Sequence, residues 1–361
     1  MPKMEISKIL IIALSGIGDA LMFTPALKKL KEILPDAEID ALVMFKGAED
    51  IYKRLPYFSR VYRFDFLNTP KSHSLKFVAS LRNKYDAAIN VYPSNRKEYN
   101  IINLLTGPKK RVGVNYLRKD FTNLGWLNNV SIKENDSLHN VEENIKLVEK
   151  LTGKQIADIP HLEFPLTTED KNAASEFFKN NGIDSDDLVI GFHPGCATLK
   201  NHIKRRWEPE KFSALANKLI EGRNAKILIF GGPEEDDLKK AVHEKINSGN
   251  AFIVKTNSLA ESAAVMERCN IFVTNDSSLM HVASALKLNI IAIIGPTNTN
   301  YIHPWKTEHE IVSLNLECAP CFFYSPKHLI CSRNDVQFKC IKELNVEMVY
   351  DAVNKFILEM K

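Results

Sequence analysis

Short, continuously apolar runs alternate with helical patterns along the first part of the chain. The first run, residues 8–14, is followed over residues 20–34 by leucines that recur at helical spacing. Further strands are predicted at residues 39–44, 61–64, 87–91 and 111–114, and helices at residues 75–82, 100–104 and 141–151. Strands that are apolar on both faces and separated by helices are typical of a parallel sheet covered on both sides.

The alternation starts again after residues 159–168, which are rich in proline and threonine and predict a linker. The second series of strands is predicted at residues 188–193, 226–230, 252–254, 271–274 and 290–294. The helices between them are predicted at residues 209–221, 234–246, 259–269 and 278–286.

This order predicts an α/β protein of two Rossmann-like, doubly wound parallel-sheet domains, residues 1–165 and 166–344, that face each other across a cleft. Sheets of this kind bind ligands at the carboxyl ends of their strands. Residues 345–361 predict a last helix that can cross back to the first domain.

Composition agrees with a globular protein of about two domains and excludes several other classes. The chain has 361 residues, of which 45% are hydrophobic and 25% charged, which excludes disorder, collagen and a small disulfide scaffold. Its apolar runs are far shorter than the roughly 18 to 20 residues of a membrane span. The amino-terminal run lacks a cleavage site of small residues, so we expect a cytoplasmic protein.

Charge is distributed unevenly along the chain. The net charge is +4, but residues 1–165 hold 25 basic and 19 acidic residues, and the rest is slightly acidic. Residues 52–119, the basic segment, hold 15 basic and three acidic residues. This excess fits an anionic acceptor or membrane surface, a solvated basic face, or nucleic acid bound by the interleaved aromatics Tyr57, Phe58, Tyr62, Phe64 and Phe66.

A glycine turn joins the first predicted strand to the first helix. The sequence Ser15-Gly16-Ile17-Gly18-Asp19 has Leu21 where a dinucleotide-binding fingerprint has its third glycine, so a dinucleotide site is not expected. The turn instead brings Asp19 to the carboxyl edge of the sheet. There it is either a general base for a hydroxyl nucleophile or an acid that caps the helix.

Three loops of the second domain are predicted to share one sheet edge. Asn275-Asp276-Ser277-Ser278-Leu279-Met280-His281 opens a helix whose free N–H groups suit a phosphate or diphosphate, although a capped helix with a packed histidine has the same pattern. The other two loops are His193-Pro194-Gly195-Cys196-Ala197-Thr198 and Phe230-Gly231-Gly232-Pro233-Glu234-Glu235. Between those two loops, the cluster Lys204-Arg205-Arg206-Trp207 either stabilises a departing diphosphate or is a solvated loop.

The cysteines near the carboxyl terminus are a further candidate site. Cys318 and Cys321 are two residues apart, but Cys331 and Cys340 are too widely spaced for a zinc ribbon. Thiols are favoured over a structural metal site of Cys318, Cys321, Cys331 and Cys340.

Together these motifs resemble glycosyltransferase family 9, the lipopolysaccharide heptosyltransferase family. Arg205 stands where the family usually has lysine, and Ser278 where many members have glycine, so the cation that meets the diphosphate, Lys204 or Arg205, is left open. The matching stretches, in the family's order, are Gly18-Asp19, Thr24-Pro25-Ala26-Leu27, His193-Pro194-Gly195, Arg205-Arg206-Trp207, Gly231-Gly232-Pro233-x-Glu235, Asp276-Ser277-Ser278-Leu279-Met280-His281-Val282-Ala283 and Gly295-Pro296-Thr297.

The resemblance implies a GT-B fold and the transfer of heptose from ADP-heptose to an anionic glycolipid of the lipopolysaccharide core. The mechanism expected for this transfer is a single displacement with inversion. The helix end at Ser277 and Ser278, with Arg205 or Lys204, can replace a divalent cation, so we predict transfer without a metal or other cofactor. Asp19 is implied as the base and Glu235 as a contact of the donor nucleoside. Gly18 and the basic segment are expected on the acceptor side. We expect the enzyme in the cytoplasm, in peripheral contact with the inner membrane surface and without nucleic acid. The implied donor-binding residues are Thr198, Lys204, Arg205, Glu235, Asp276, Ser277, Ser278, Leu279 and His281.

Related activities remain open at this stage. A transferase of another surface polysaccharide, or an epimerase acting on a nucleotide sugar, would share the fold and most of these motifs.

Overall fold

The computed structural model describes residues 6–118, 120–323 and 328–360, so Lys119, the end of the basic segment, lies outside the described residues. The chain divides after Pro165 into two compact units, which are described separately here. Each unit is built around a parallel sheet of six strands, which confirms the predicted α/β class.

The first unit has the strand order β3-β2-β1-β4-β5-β6. All the pairs are parallel; Ile11 of β1, for example, lies opposite Ala41 of β2 and Ile89 of β4. The strands are β1 (Lys8–Ala13), β2 (Glu38–Val43), β3 (Arg60–Arg63), β4 (Ala87–Asn90), β5 (Lys110–Asn115) and β6 (Val130–Lys133). The helices are α1 (Ile17–Ile33), α2 (Lys46–Arg54), α3 (Lys71–Ser80), α4 (Lys97–Leu105) and α5 (Asn140–Thr152).

The second unit repeats this topology, with the strand order β12-β11-β10-β7-β8-β9. Its strands are β7 (Val189–His193), β8 (Lys226–Ile229), β9 (Ala251–Ile253), β10 (Ile271–Asn275), β11 (Asn289–Ile293) and β12 (His309–Val312). Its helices are α6 (Thr168–Asn180), α7 (Pro209–Arg223), α8 (Asp236–His243), α9 (Leu259–Met266), α10 (Ser278–Ala285), α11 (Thr299–Ile302), α12 (Lys339–Lys342) and α13 (Val346–Glu359).

The strand order reverses at one point in each sheet. In the first unit the reversal lies between β1 and β4, and in the second between β7 and β10. Loops that leave neighbouring strands on opposite sides of such a point open a crevice at the carboxyl edge, where doubly wound sheets bind ligands. The glycine turn follows β1, and the loop with Asp276 follows β10, so both predicted motifs lie at a reversal.

The last helix, α13, packs against α7, β11 and β12 of the second unit. Its buried side chains, Val349, Val353, Phe356 and Ile357, join the core cluster formed by the strands of that unit. The sequence analysis allowed this helix to cross back to the first domain, whereas its apolar face is buried in the second unit. Among the described residues, no helix combines the length and the apolar character needed to cross a lipid bilayer.

The aromatic residues of the basic segment pack inside the first unit. Phe64 stacks on Phe77 with ring centroids 4.3 Å apart, and Phe66 and Tyr62 pack against the same core cluster. Phe58 lies against the ring of Tyr52, and the hydroxyl of Tyr57 donates to Glu163 over 2.8 Å. The spacing of these rings therefore reflects the buried face of a strand and its neighbours, not an exposed platform for stacking bases.

Candidate functional site

Three loops meet at the carboxyl edge of the second sheet because the strands that precede them are neighbours. β7 pairs with both β8 and β10, so the residues that follow these strands are brought together. The side chain of Asn275, at the end of β10, bonds to the segment that follows β7. Its Nδ2 donates to the carbonyl of Pro194 over 2.8 Å, and its Oδ1 accepts from the backbone N–H of Trp207 over 2.9 Å. Trp207 is itself fully buried.

His193, at the end of β7, links the other two strand ends. Its Nε2 donates to the Glu235 carboxylate over 3.0 Å, and its Nδ1 is hydrogen-bonded to the Ser277 hydroxyl over 2.9 Å. Arg206 donates to the other oxygen of Glu235 over 3.1 Å. Burial raises the pKa of Glu235, but the hydrogen bond from His193 and the charge of Arg206 outweigh it and hold that pKa below its usual value.

A buried ion pair lies beside this network. Arg205 pairs with Asp276, and the same carboxylate oxygen accepts from the Thr297 hydroxyl over 2.6 Å. Both charged side chains are buried, and the guanidinium lies over the ring of Phe322. A cation is thus held next to the start of α10 by an acid that precedes that helix.

The amino-terminal end of α10 is arranged to receive an anion. Its first N–H groups have no carbonyl partners within the helix, and Ser277 at the N-cap makes no side-chain cap bond because its hydroxyl is turned to His193. Free N–H groups, a helix dipole and a guanidinium are the groups that suit a phosphate or diphosphate.

The remaining predicted donor residues lie in different environments. Lys204 and Thr198 are exposed, Ser278 is half-buried, and Leu279 is buried in the first turn of α10. His281 is also buried, and burial lowers its pKa to about 4, so the ring is neutral at pH 7. Its Nδ1 has no hydrogen-bond partner among the described residues.

Sequence reasoning did not identify His193, Arg206 and Thr297 as site residues, although all three lay in motifs that were noticed. Their roles depend on partners 21 to 84 residues away in the chain. Gly195 gives one local signal, since a Cβ there would lie 1.9 Å from an oxygen of Glu235. Only glycine at this position allows the carboxylate to approach the loop so closely.

At the carboxyl edge of the first unit, Asp19 caps α1. Its Oδ2 accepts from the backbone N–H of Gly16 over 3.2 Å, so the capping role weighed for this residue is real. The side chain remains half-buried rather than enclosed, and Gly18 before it is buried. The charge of Asp19 adds to burial in raising the pKa of both Tyr52 and Tyr99, which places these two phenols near the carboxylate.

A chain of hydroxyl groups borders Asp19. Ser15 donates to the carbonyl of Pro93 over 2.9 Å, so the hydroxyl of Tyr99, 2.7 Å away, donates to Ser15. Tyr52 is fully buried, and its hydroxyl has no partner among the described residues. The surroundings of Asp19 at this edge are therefore hydroxyl groups, whereas the edge of the second unit offers charged pairs.

The cysteines do not form a recognisable metal site. In residues 6–118, 120–323 and 328–360, no three cysteine, histidine or acidic side chains are grouped as ligands. Cys318 and Cys321 are exposed, and the Sγ of Cys331 accepts from the backbone N–H of Phe338 over 3.2 Å. All six cysteines are free thiols in this structure.

Comparisons of sequence agree with this geometry. Residues 74–328 match the family model described as glycosyltransferase family 9 (heptosyltransferase). The chain is also 26% identical over 322 residues to lipooligosaccharide heptosyltransferase 2 of Haemophilus influenzae, a match that covers 85% of this chain and 88% of that protein.

Comparisons of structure identify the fold. A family 9 glycosyltransferase of Veillonella parvula superimposes with a TM-score of 0.75 at 22% identity, covering 98% of this chain and 97% of that one. The ADP-heptose lipopolysaccharide heptosyltransferase II of Escherichia coli superimposes with a TM-score of 0.74 at 20% identity, covering 98% and 99%. The two doubly wound units therefore form the GT-B fold.

Proposed function

Because the chain belongs to glycosyltransferase family 9, we propose that it transfers heptose from ADP-heptose to a sugar of the lipopolysaccharide or lipooligosaccharide core. The name of the Haemophilus influenzae relative supports the acceptor, and that of the Escherichia coli structure supports the donor. The observation on which the proposal rests is the pairing of Arg205 with Asp276 at the start of α10, because it places a buried cation beside free N–H groups.

The donor diphosphate binds at the start of α10. As the bond between the anomeric carbon and the diphosphate oxygen breaks, negative charge accumulates on ADP. Arg205, held by Asp276, and the N–H groups of the first turn of α10 are fixed by the fold before the donor binds, so little reorganisation is needed when that charge develops. These fixed positive charges take the place of a divalent cation in the proposed mechanism.

Glu235 shapes the nucleoside side of the donor site. Both of its oxygens are bound, one by His193 and the other by Arg206, and the backbone N–H of Gly232 adds a contact of 3.3 Å. We therefore assign it a second role besides contact with the nucleoside, which is to hold the loops that follow β7 and β8 at a fixed spacing.

Asp19 acts on the acceptor. In a single displacement with inversion, an acceptor hydroxyl forms a bond to the anomeric carbon, ADP departs, and the hydroxyl proton passes to the Asp19 carboxylate. The half-buried side chain is accessible to a substrate while its cap bond to Gly16 fixes its direction. The basic segment of the same unit attracts the phosphates of a core glycolipid at the inner membrane surface.

Replacing each candidate cation tests the donor site. Arg205→Ala is expected to weaken ADP binding and to lower turnover by about 100-fold, because it removes a charge-assisted contact and leaves Asp276 buried without a counter-charge. Lys204→Ala is the matched control, since this exposed neighbour is expected to change either quantity less than threefold. Calorimetric titration with ADP and initial rates of heptose transfer measure the two effects.

Two outcomes contradict this proposal. Equal losses in the two variants would show that Arg205 has no special role. Loss of transfer on addition of EDTA, with recovery on addition of a divalent ion, would show that the fixed cations are insufficient.

A further inference from the structure

Two large aromatic side chains of the first unit project into solvent from the connection between β5 and β6. The described part of this connection, residues 116–118 and 120–129, is called the β5–β6 loop below. Phe121 is 83% exposed and Trp126 is 63% exposed, and Leu117 on the same loop is also exposed. Helix α4, which packs on the turn that carries Trp126, exposes Leu104 and Leu105 at its end. Clustered apolar exposure of this kind marks an interaction surface.

The backbone of the loop is firmly anchored, although these side chains are exposed. The carbonyl of Asn123 accepts from the buried side chain of Asn100 over 2.7 Å, and Asp120 accepts from the backbone N–H of Tyr116 over 2.9 Å. Asn128 is also buried and bonded to Asn100 over 2.8 Å. The protein therefore holds Phe121 and Trp126 outward on a fixed support, which lowers the entropy lost when they contact a partner.

Basic residues surround the loop. The side chain of Asn95 donates to the carbonyl of Arg118, which brings the exposed pair Arg96 and Lys97 next to the loop. At the other end of the loop, Arg111 donates to the carbonyl of Leu127 over 2.8 Å. Three acids lie at the loop itself: Asp120 is bonded within it, Glu134 accepts from the backbone N–H of Leu117, and Asp136 is paired with Arg118. Arg96 and Lys97 make no ion pair among the described residues, and Glu98 beside them is exposed.

We propose that the β5–β6 loop docks on an anionic lipid bilayer, with Phe121 and Trp126 inserted at the headgroup level and Arg96 and Lys97 against lipid phosphates. Aromatic rings beside basic residues are what an interfacial membrane anchor requires. The inference rests on the proposed function in one respect, since it brings the first unit to the surface where a glycolipid acceptor is embedded.

Charge favours a membrane over a second copy of the chain as the occupant. Two copies meeting through this loop would bring the exposed Arg96 and Lys97 of both copies into one interface. Like charges that face each other across an interface disfavour association, whereas phosphates of a bilayer neutralise them.

Trp126 allows a direct test, because it is the one exposed tryptophan of the three in the chain. Trp207 is fully buried and Trp305 is 8% exposed. Vesicles of phosphatidylglycerol and phosphatidylethanolamine are expected to shift the tryptophan emission of the full chain to shorter wavelength and to co-sediment it, with both effects weakened by salt. Phosphatidylcholine vesicles are expected to bind at least tenfold more weakly.

Phe121→Asp tests the loop itself, with Trp126 still present as the reporter. This variant is expected to weaken vesicle binding by about tenfold or more, because it replaces an inserted ring with an anion. Leu358→Asp makes the same change in charge at an exposed apolar position of α13 and is expected to bind vesicles like the unaltered chain. ADP affinity and the unfolding temperature of both variants show that the second unit and the fold are intact.

The inference would be overturned if the two variants bound vesicles equally well. It would also be overturned if vesicles sedimented the protein without shifting its tryptophan emission. A shift produced by concentrating the protein without lipid would overturn it as well, since that identifies a second copy as the occupant. The proposed function is tested separately with a delipidated core oligosaccharide, on which Phe121→Asp is expected to be fully active. Lack of transfer to any acceptor by the unaltered chain would contradict the function and leave the vesicle result standing.

Discussion

Asp19 must satisfy two requirements with one carboxylate. Its Oδ2 caps α1 at Gly16, and the proposed mechanism needs the same side chain to accept a proton. The two roles are compatible, because a carboxylate has four lone-pair positions and the cap uses one of them. The helix dipole also favours the ionised form that a base requires.

Asp19→Asn separates these roles. The amide oxygen can still accept from Gly16, so the unfolding temperature and the ADP affinity are expected to stay unchanged. Turnover at saturating donor is expected to fall by roughly 100-fold or more, because an amide cannot take up the proton. Asp19→Ala, which also loses the cap, is expected to cost about a further 1 kcal/mol of stability. Near-normal turnover of Asp19→Asn would show that another group is the base.

His281 makes the stability of the second unit depend on pH. Burial lowers its pKa from 6.5 to about 4. Between these two pH values the ring is therefore protonated in the unfolded chain but not in the folded unit. The contribution of His281 to the free energy of unfolding is therefore fully present above pH 6.5. It is lost as the pH falls from 6.5 to 4, which lowers the free energy of unfolding by about 3 kcal/mol. Urea unfolding of His281→Gln at pH 7.5, 6 and 5 is expected to show a smaller decrease than the unaltered chain.

Exposed His73 provides the control for this measurement. His73→Gln should retain the full decrease in unfolding free energy at low pH. If His281→Gln retained it as well, the loss would have to come from other groups.

At the scale of elements, every inner strand was predicted, and of the four outer strands β3 and β9 were predicted while β6 and β12 were missed. β1, β4, β7 and β10 are buried on both faces and appear in the sequence as continuous apolar runs. β6 and β12 lie at the outer ends of their sheets and are only partly buried. Their mixed sequences, Val-Ser-Ile-Lys and His-Glu-Ile-Val, carry no clear pattern, because pairing on one side alone does not require an apolar run.

Helices were missed for a related reason. α6 buries only Asp170, Ala174 and Phe178. Two buried apolar residues are too few to give the helical periodicity that would have distinguished this segment from the preceding linker. A capping signal was present, since Thr167 and Asp170 bond to each other's backbone N–H groups. α2 likewise lies among charged residues and was not predicted.

The loops of the donor site were predictable, but their internal pairing was not. Adjacent parallel strands must deliver their following loops to one edge, which follows from the order of the elements alone. Nothing in the local sequence indicated that Arg205 pairs with Asp276 while Arg206 pairs with Glu235. Arg205 and Asp276 are 71 residues apart in the chain, and Arg206 and Glu235 are 29 residues apart. Which arginine meets which acid therefore depends on the tertiary fold and on the direction of each side chain.

On the scale of the whole molecule, two units of the same topology carry different chemistry. The site of the second unit is built on the pairs Arg205–Asp276 and Arg206–Glu235, and that of the first on Asp19, hydroxyl groups and the basic segment. The two units also differ in the buried side chain whose pKa is shifted, which is a histidine in the second unit and a glutamate in the first. Burial raises the pKa of Glu143 on α5 to about 7, with Oε1 accepting from the backbone N–H of Asn135.

The first unit is therefore expected to respond to pH in the opposite sense from His281. The folded-state pKa of Glu143 lies above the unfolded value of 4.5, so the folded unit favours the protonated carboxyl. The contribution of this residue to the free energy of unfolding is therefore fully present below pH 4.5 and is lost as the pH rises through 7. Glu143→Gln cannot ionise and is expected to be up to about 3 kcal/mol more stable at pH 8 and little changed at pH 4.5. Chemical unfolding of this variant and of the exposed control Glu98→Gln checks the assignment; equal gains at pH 8 would refute it.

The pairing of Arg205 with Asp276 also bears on how a catalytic cycle finishes. When a doubly charged product dissociates, a cation in a buried position would ordinarily be left without a counter-charge, and the product would be held tightly for that reason. Here Asp276 remains beside the guanidinium and neutralises it at once. In the proposed mechanism the carboxylate therefore competes with the departing ADP for the guanidinium, and we expect this competition to weaken product inhibition.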